Sequence, residues 1–351
     1  MTTQVRSPRG AQSCIIDARI LAHPVDELQP GGSTMRRSAL LFAVVSLCLP
    51  ITVFSQTRTP EAALTHYKNA NKKTDKGDLD GAIEEYTRAI RLSSQLNGSA
   101  SSSRRLGNAF DDYANEGITV IDPFTANAYN NRCLVRYKKK DLRGAVEDCD
   151  QALRIRPGLA SAYLNRAAAL RELGEREASL KDLDRAISLQ KDFFEAVSNR
   201  GSLRLELGDV NGALADLNRS IEINDHIPES YYHRGYTYIE LKRFDLAVAD
   251  FERAVRLEPR MAWAYQGRGT ALMQTGKMDR AIADFTRAIE LDPELSWAYY
   301  NRGLAHVYVG NESEAQKDFD EFLKLRPEQK AQLDAKIELA RELRQQHKPL
   351  E

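Results

Sequence analysis

Arginine and aspartate each recur in this sequence at a fixed step of 34 residues. The arginines are Arg132, Arg166, Arg200, Arg234, Arg268 and Arg302; the aspartates are Asp148, Asp182, Asp216, Asp250, Asp284 and Asp318. The chemistry open to such a set is ion pairing. An unpaired charge near a helix interface is costly, so the lockstep predicts a structural ladder of pairs that fixes register, not a catalytic array. Asparagine recurs less strictly, at Asn131, Asn165, Asn199 and Asn301, with His233 and Gly267 at the intervening steps. A carboxamide both donates and accepts, which suits the backbone of an extended peptide. The other reactive types are not arranged for chemistry. His23, His66, His226, His233, His306 and His347 are scattered, none at metal-ligand spacing from cysteine or carboxylate. Serine, cysteine and glycine form neither a nucleophile elbow nor a phosphate loop, and paired acids fall on solvated helix faces. The sequence predicts no enzyme, no cofactor and no metal.

The elements that must position these residues are legible in residues 262–295. Tyr265, Leu272 and Met273 fall at helical spacing, Gly276 interrupts, and Ala281, Ile282, Phe285, Ala288, Ile289 and Leu291 resume until Pro293 ends the second helix. The small residues Gly269, Ala281 and Ala288 let two antiparallel helices approach closely. Steps of 34 from Ala281 give Ala145, Ser179, Ala213, Ala247 and Ala315; the place of Tyr265 gives Tyr129, Tyr163, Val197, Tyr231 and Tyr299. The place of Phe285 gives Cys149, Leu183, Leu217, Phe251 and Phe319, and that of Pro293 gives Pro157, Lys191, Asp225, Pro259 and Pro327.

The period, the aromatic opening the first helix, the small residue within it and the terminal proline resemble the tetratricopeptide repeat family. The match runs without a gap over six units, 126–159, 160–193, 194–227, 228–261, 262–295 and 296–329. The resemblance implies an all-α, right-handed solenoid of antiparallel helix pairs that binds a protein or peptide on its concave groove and catalyses nothing. On the groove-lining face it places the four asparagines together with Tyr232, Tyr236, Trp263, Trp297, Tyr300 and Tyr308. Aromatic and carboxamide side chains combine area with adaptable polarity; the rival reading is that these rings pack helix on helix. The arginine ladder departs from the family, which usually has an apolar residue at that seventh place. The carboxylate clamp of chaperone-binding members is absent, since its second and sixth places read Ser161 and Asn165, Glu195 and Asn199, Glu229 and His233, Trp263 and Gly267, Trp297 and Asn301.

Around the array lie less regular segments. Residues 1–34 lack periodicity and read as a disordered upstream extension. Met35, Arg36 and Arg37 precede the apolar run 39–54, resembling a signal peptide at 35–55 cleaved after Ser55, so export to the periplasm or outside is expected. The alternative is an uncleaved anchor formed by 39–54. Thr59 and Pro60 start a degenerate first repeat, 59–96, in which Tyr67, Gly77, Ala82, Tyr86 and Ala89 fit. Residues 97–125 read as an insertion whose Ser/Gly run, 97–103, is flexible and whose end, 117–124, is extended. Residues 330–348 carry one apolar stripe and read as a capping helix.

Charge is balanced at 50 basic and 50 acidic residues, so no nucleic-acid or anionic-membrane footprint is visible, and no small-molecule substrate is expected. Cys133 and Cys149 occupy facing places in one hairpin; they form either a disulfide, which export permits, or two inert buried thiols. The functional expectation is a peptide-binding scaffold or adaptor. The alternatives are a structural subunit of an envelope or secretion complex, or a glycan-associated module using the aromatic wall.

Overall fold

The computed structural model describes residues 61–99 and 123–346. The readings placed on 1–60, on 100–122 and on 347–351 lie outside those residues. The described residues form two compact units, one ending at Arg200 and the other beginning at Gly201. Both are built from helices and turns, with no strand among the described residues. The unit up to Arg200 contains α1 (Glu61–Asp75), α2 (Leu79–Ser99), α3 (Pro123–Lys138), α4 (Leu142–Ile155), α5 (Ala160–Glu172), α6 (Arg176–Leu189) and the start of α7 (Phe194–Glu206). The unit from Gly201 contains the rest of α7, then α8 (Val210–Ile223), α9 (Pro228–Glu240), α10 (Phe244–Leu257), α11 (Ala262–Gln274), α12 (Met278–Leu291), α13 (Ser296–Val309) and α14 (Glu312–Leu325). A 3-10 turn, Pro327–Gln329, leads into α15 (Lys330–Gln346).

Hairpin closure follows from local chemistry. The residue that turns the chain between the two helices takes a left-handed conformation at Gly77, Gly174, Gly208, Gly276 and Gly310, where the missing Cβ removes the steric cost. Lys140 and Lys242 stand at the same place with φ of 64° and 56° and bear that cost. Several second helices start with an aspartate cap: Asp141 and Asp209 accept from the backbone N–H of Gly144 and Gly212 at 3.1 and 2.9 Å. A Cβ at Gly144 would lie 2.3 Å from the Asp141 carboxylate, so the cap requires glycine there.

Helices pack through small-to-large contacts. A Cβ added to Gly235, Gly269 or Gly303 would lie 2.8, 2.7 or 2.4 Å from the ring of Phe251, Phe285 or Phe319, respectively. Those three phenylalanines are buried. At the C-terminal end α15 buries Leu333 and Ala340, Arg341 and Arg344 pair with Glu312 at 2.9 and 3.0 Å, and Arg344 donates to the Val307 carbonyl. That carbonyl, at the end of α13, also accepts from the Gly310 N–H, so the arginine adds a second bond to it.

Two expectations for the insertion need correction. Residues 97–99 belong to α2, because extending an existing helix costs far less than starting one. Phe124 is helical, with Pro123 as the first residue of α3, where a missing N–H is harmless; its ring packs 5.1 Å from that of Tyr67. Among the described residues no helix is long and apolar enough to cross a membrane.

Lys242 is exposed, so replacing it by glycine isolates the backbone cost. Lys242→Gly should stabilise the unit from Gly201 by about 0.5–1 kcal/mol. The urea midpoint should rise with an unchanged slope; an unchanged or lower midpoint would show that the left-handed turn is not strained.

Candidate functional site: the first-helix face and its ion-paired rungs

The recurrent arginines form the rungs expected of them and reach further than the sequence indicated. Arg132 donates from Nε and Nη2 to the two oxygens of Asp148 at 2.8 and 2.6 Å. Arg166, Arg234, Arg268 and Arg302 hold Asp182, Asp250, Asp284 and Asp318 in the same fork. The remaining Nη1 reaches back to the preceding hairpin: Arg132 to Thr87, Arg166 to Asp150, Arg234 to Asn218 and Arg302 to Thr286, at 2.6–3.0 Å. Each of these guanidiniums also lies over the tyrosine three residues earlier, Tyr129, Tyr163, Tyr231, Tyr265 or Tyr299, at 5.4–5.8 Å from the ring centre. The hydrogen bonds to Asp182 and Asp284 hold Arg166 and Arg268 above the usual guanidinium range.

In the repeat with Val197 at the tyrosine place, the backward bond recurs and the aspartate has a further arginine. Arg200 donates to Asp184 at 2.7 Å, and Asp216 accepts from Arg204 at 2.7 Å. Arg204 is a participant the sequence reading missed. Cys133 and Cys149 are joined as a disulfide, with Cα atoms 5.6 Å apart and both side chains fully buried, which removes the alternative of two free thiols.

The asparagines of the face separate into two situations. In the unit up to Arg200 they belong to a chain of hydrogen bonds: Asn165 donates to Asn130 at 3.0 Å, Asn130 to Asn131 at 3.4 Å, and Asn131 to the Tyr67 hydroxyl at 2.9 Å. Asn199 is half-buried. Within the unit from Gly201, Asn301 is fully buried and donates to Thr270 Oγ1 at 3.5 Å, while its own oxygen has no hydrogen-bond partner.

The aromatic wall needs correction. Tyr232, Trp297 and Tyr300 are buried, not presented to solvent. Trp297 and Tyr300 pack on each other and on Phe322 at 5.2–5.4 Å, and Tyr232 and Tyr236 pack on Phe251 at 6.1 and 5.2 Å. Rings of this size gain more by joining a neighbouring aromatic cluster than by facing water, so the packing reading holds for those three. Burial pushes the Tyr236 hydroxyl up to about 12. Trp263, Tyr236 and Tyr308 are half-buried and remain the aromatic members nearest the surface.

Sequence reasoning also missed a polar stripe on α11. Gln266, Thr270 and Gln274 follow one another every four residues on one side of that helix and are 3–4 % exposed. The side-chain oxygens of both glutamines are buried without a hydrogen-bond partner. The signal was present as three uncharged polar residues at helical spacing in a repeat otherwise rich in apolar ones. With Asn301 they place three unpartnered carboxamide acceptors on α11 and α13.

Helix hairpins that stack through one repeated charged rung, with no reactive constellation on the recurrent face, define an α-helical repeat protein. Tetratricopeptide repeat models match residues 164–226, 228–261 and 298–329, and a further TPR repeat model matches 269–310. The chain is a tetratricopeptide repeat protein with an all-α solenoid fold. No curated protein matches it. Among solved structures it is similar to a tetratricopeptide repeat protein from Parabacteroides merdae, at 20 % identity over 80 % of this chain and 99 % of that one, with a TM-score of 0.56. It is also similar to PilW, a type IV pilus biogenesis factor, at 18 % identity, 57 % and 94 % coverage and a TM-score of 0.53. The third likeness is to the APC/C hetero-tetramer Cut9–Hcn1, at 14 % identity and a TM-score of 0.58, covering 78 % of this chain and 54 % of that one. These likenesses concern the fold.

Asp250 is 6 % exposed and holds two bonds from Arg234. Asp250→Ala should destabilise the unit from Gly201 by about 2–3 kcal/mol, since it strands a largely buried cation. A double-mutant cycle with Arg234→Ala should return a coupling of about 1 kcal/mol or more by chemical denaturation. Additive single effects would mean that the pair does not act as a rung.

Proposed function

We propose that this protein is a non-enzymatic scaffold that binds a protein or peptide partner through its first-helix face, with recognition centred on α11 and α13. The observation that carries this reading is the set of three buried acceptors without partners, Gln266 Oε1, Gln274 Oε1 and Asn301 Oδ1. Leaving such atoms unmet costs on the order of 1–3 kcal/mol each, and the N–H groups of an extended segment are donors of the right kind. The half-buried Trp263 on the same helix adds contact area at the edge. The similar PilW is a pilus biogenesis factor and Cut9 is found in a hetero-tetramer, which agrees with work in assembly. The glycan reading loses its support, because a stacking platform needs exposed rings and Tyr232, Trp297 and Tyr300 are buried. Export remains part of the proposal; the Cys133–Cys149 disulfide favours an oxidising compartment.

A photo-crosslinking residue at 263, with a control at the exposed Glu222, captures the partner in the source cell. The purified partner is then titrated against the wild type and a Gln266→Leu, Asn301→Leu double variant. Affinity should fall roughly tenfold or more while stability is unchanged or higher, since apolar replacement removes unmet polar atoms. Equal affinity would refute the site, and crosslinks from 222 alone would favour a structural subunit that uses its second-helix face.

A further inference from the structure

The place where the first helix of each hairpin meets the second is filled in one way at the C-terminal end and in another near the start. Gly235, Gly269 and Gly303 receive the rings of Phe251, Phe285 and Phe319, a close fit that holds each hairpin shut. In the hairpin α3/α4 the same two places are Cys133 and Cys149, joined covalently. Ala145, Ala152, Ala162 and Ala169 are fully buried around them, with Leu153 in the same cluster and Tyr129, Tyr137 and Tyr163 packed against it. Where the later hairpins are held by a ring seated on a glycine, this one is held by a covalent bond between the same two places.

We propose that the Cys133–Cys149 disulfide stands in for the aromatic plug, and that the attachment of the first hairpin, α1/α2, to the rest of its unit therefore depends on redox state. The links to α1/α2 converge on α3. Arg132, next to Cys133 in the chain, reaches Thr87 of α2 while it holds Asp148, which is next to Cys149. Asn131 donates to Tyr67 of α1, Phe124 packs against the same ring, and Lys139 pairs with Asp80. One covalent bond thus fixes the helix that carries the rung and the contacts beside it. Reduction consumes one dithiol. Its thiolate attacks one sulfur and breaks the S–S bond, its second thiol displaces the mixed disulfide, and two cysteine thiols and one oxidised dithiol result. Both sulfurs are buried, so the reductant gains access only when the hairpin opens. This inference is independent of the partner-binding face on α11 and α13.

The test is hydrogen exchange on the full chain, oxidised and after complete reduction with dithiothreitol in mild denaturant followed by refolding in the same reductant. Closing a loop of this length, the cysteines being 16 apart in sequence, predicts roughly 100-fold lower protection in α3/α4 on reduction, and lower protection in α1/α2 with it. α11/α12 should be unaffected. A Cys133→Gly, Cys149→Phe variant rebuilds the plug of the C-terminal repeats and should keep its α3/α4 protection with or without reductant. Equal exchange of α3/α4 in oxidised and reduced wild type would overturn the proposal, as would two alkylatable thiols in denatured, air-purified protein. Should the variant not fold, the wild-type comparison decides alone.

Discussion

The guanidinium at the seventh place of each repeat is the constraint from which the packing follows. In Arg132, Arg166, Arg234 and Arg302 the planar fork closes its own hairpin through two bonds to one aspartate, and the third nitrogen ties that hairpin to the one before, as Arg166 does between Asp182 and Asp150. Lysine, a point charge with no fork, could not do both. The aspartates are almost fully buried, so a hairpin that slid by one helical turn would strand charges in a low-dielectric interface. A buried pair is close to neutral in net stability against an apolar replacement. What the rung contributes is register: the penalty for wrong stacking is large even where the gain for correct stacking is small.

Where the rung changes, its logic persists. In the first hairpin Asn69 takes the arginine place and Glu85 the aspartate place, and His66 replaces the tyrosine. Glu85 is still met: His66 Nδ1 lies 2.6 Å away, and the cations Arg88 and Lys73 lie at 3.4 and 3.6 Å. The hydrogen bond from His66 holds the Glu85 carboxyl below its ordinary range. The terminal repeat therefore looks degenerate at the level of residue identity, although a buried acid still joins its two helices.

Much of this was legible in the sequence, for identifiable reasons. Strict period made the helix pairs and the Arg–Asp pairing readable, because a repeat solves one packing problem many times with the same residues. Three things were not readable. The third bond of Arg132, Arg166, Arg234 and Arg302 goes to Thr87, Asp150, Asn218 and Thr286, residues alike only in being polar, so identity gave no signal. The rings of Tyr232, Trp297 and Tyr300 stand at places that ordinarily face a groove, but Phe251 and Phe322 offer them better partners. Residues 97–99 look like a flexible run by composition and yet finish a helix, because local propensity is weak beside propagation from an established one.

The polar residues of the recurrent face show how stability and recognition are divided. In the unit up to Arg200, Asn165, Asn130, Asn131 and Tyr67 bond to one another, so their capacity is spent on holding successive first helices together. Within the unit from Gly201, Gln266, Gln274 and Asn301 bury carboxamides whose oxygens are unmet, and the helices there are held instead by aromatic packing on Phe251 and Phe322. A fold gains nothing from an unmet buried acceptor, which leucine or methionine would avoid at similar volume. The aromatic contacts make that unit stable enough to tolerate the cost, and sites that sacrifice stability in this way are where a repeat protein keeps its capacity to bind. On the proposed reading, recognition then follows from the aromatic packing: the rings that were expected to touch a partner instead support the carboxamides proposed to do so.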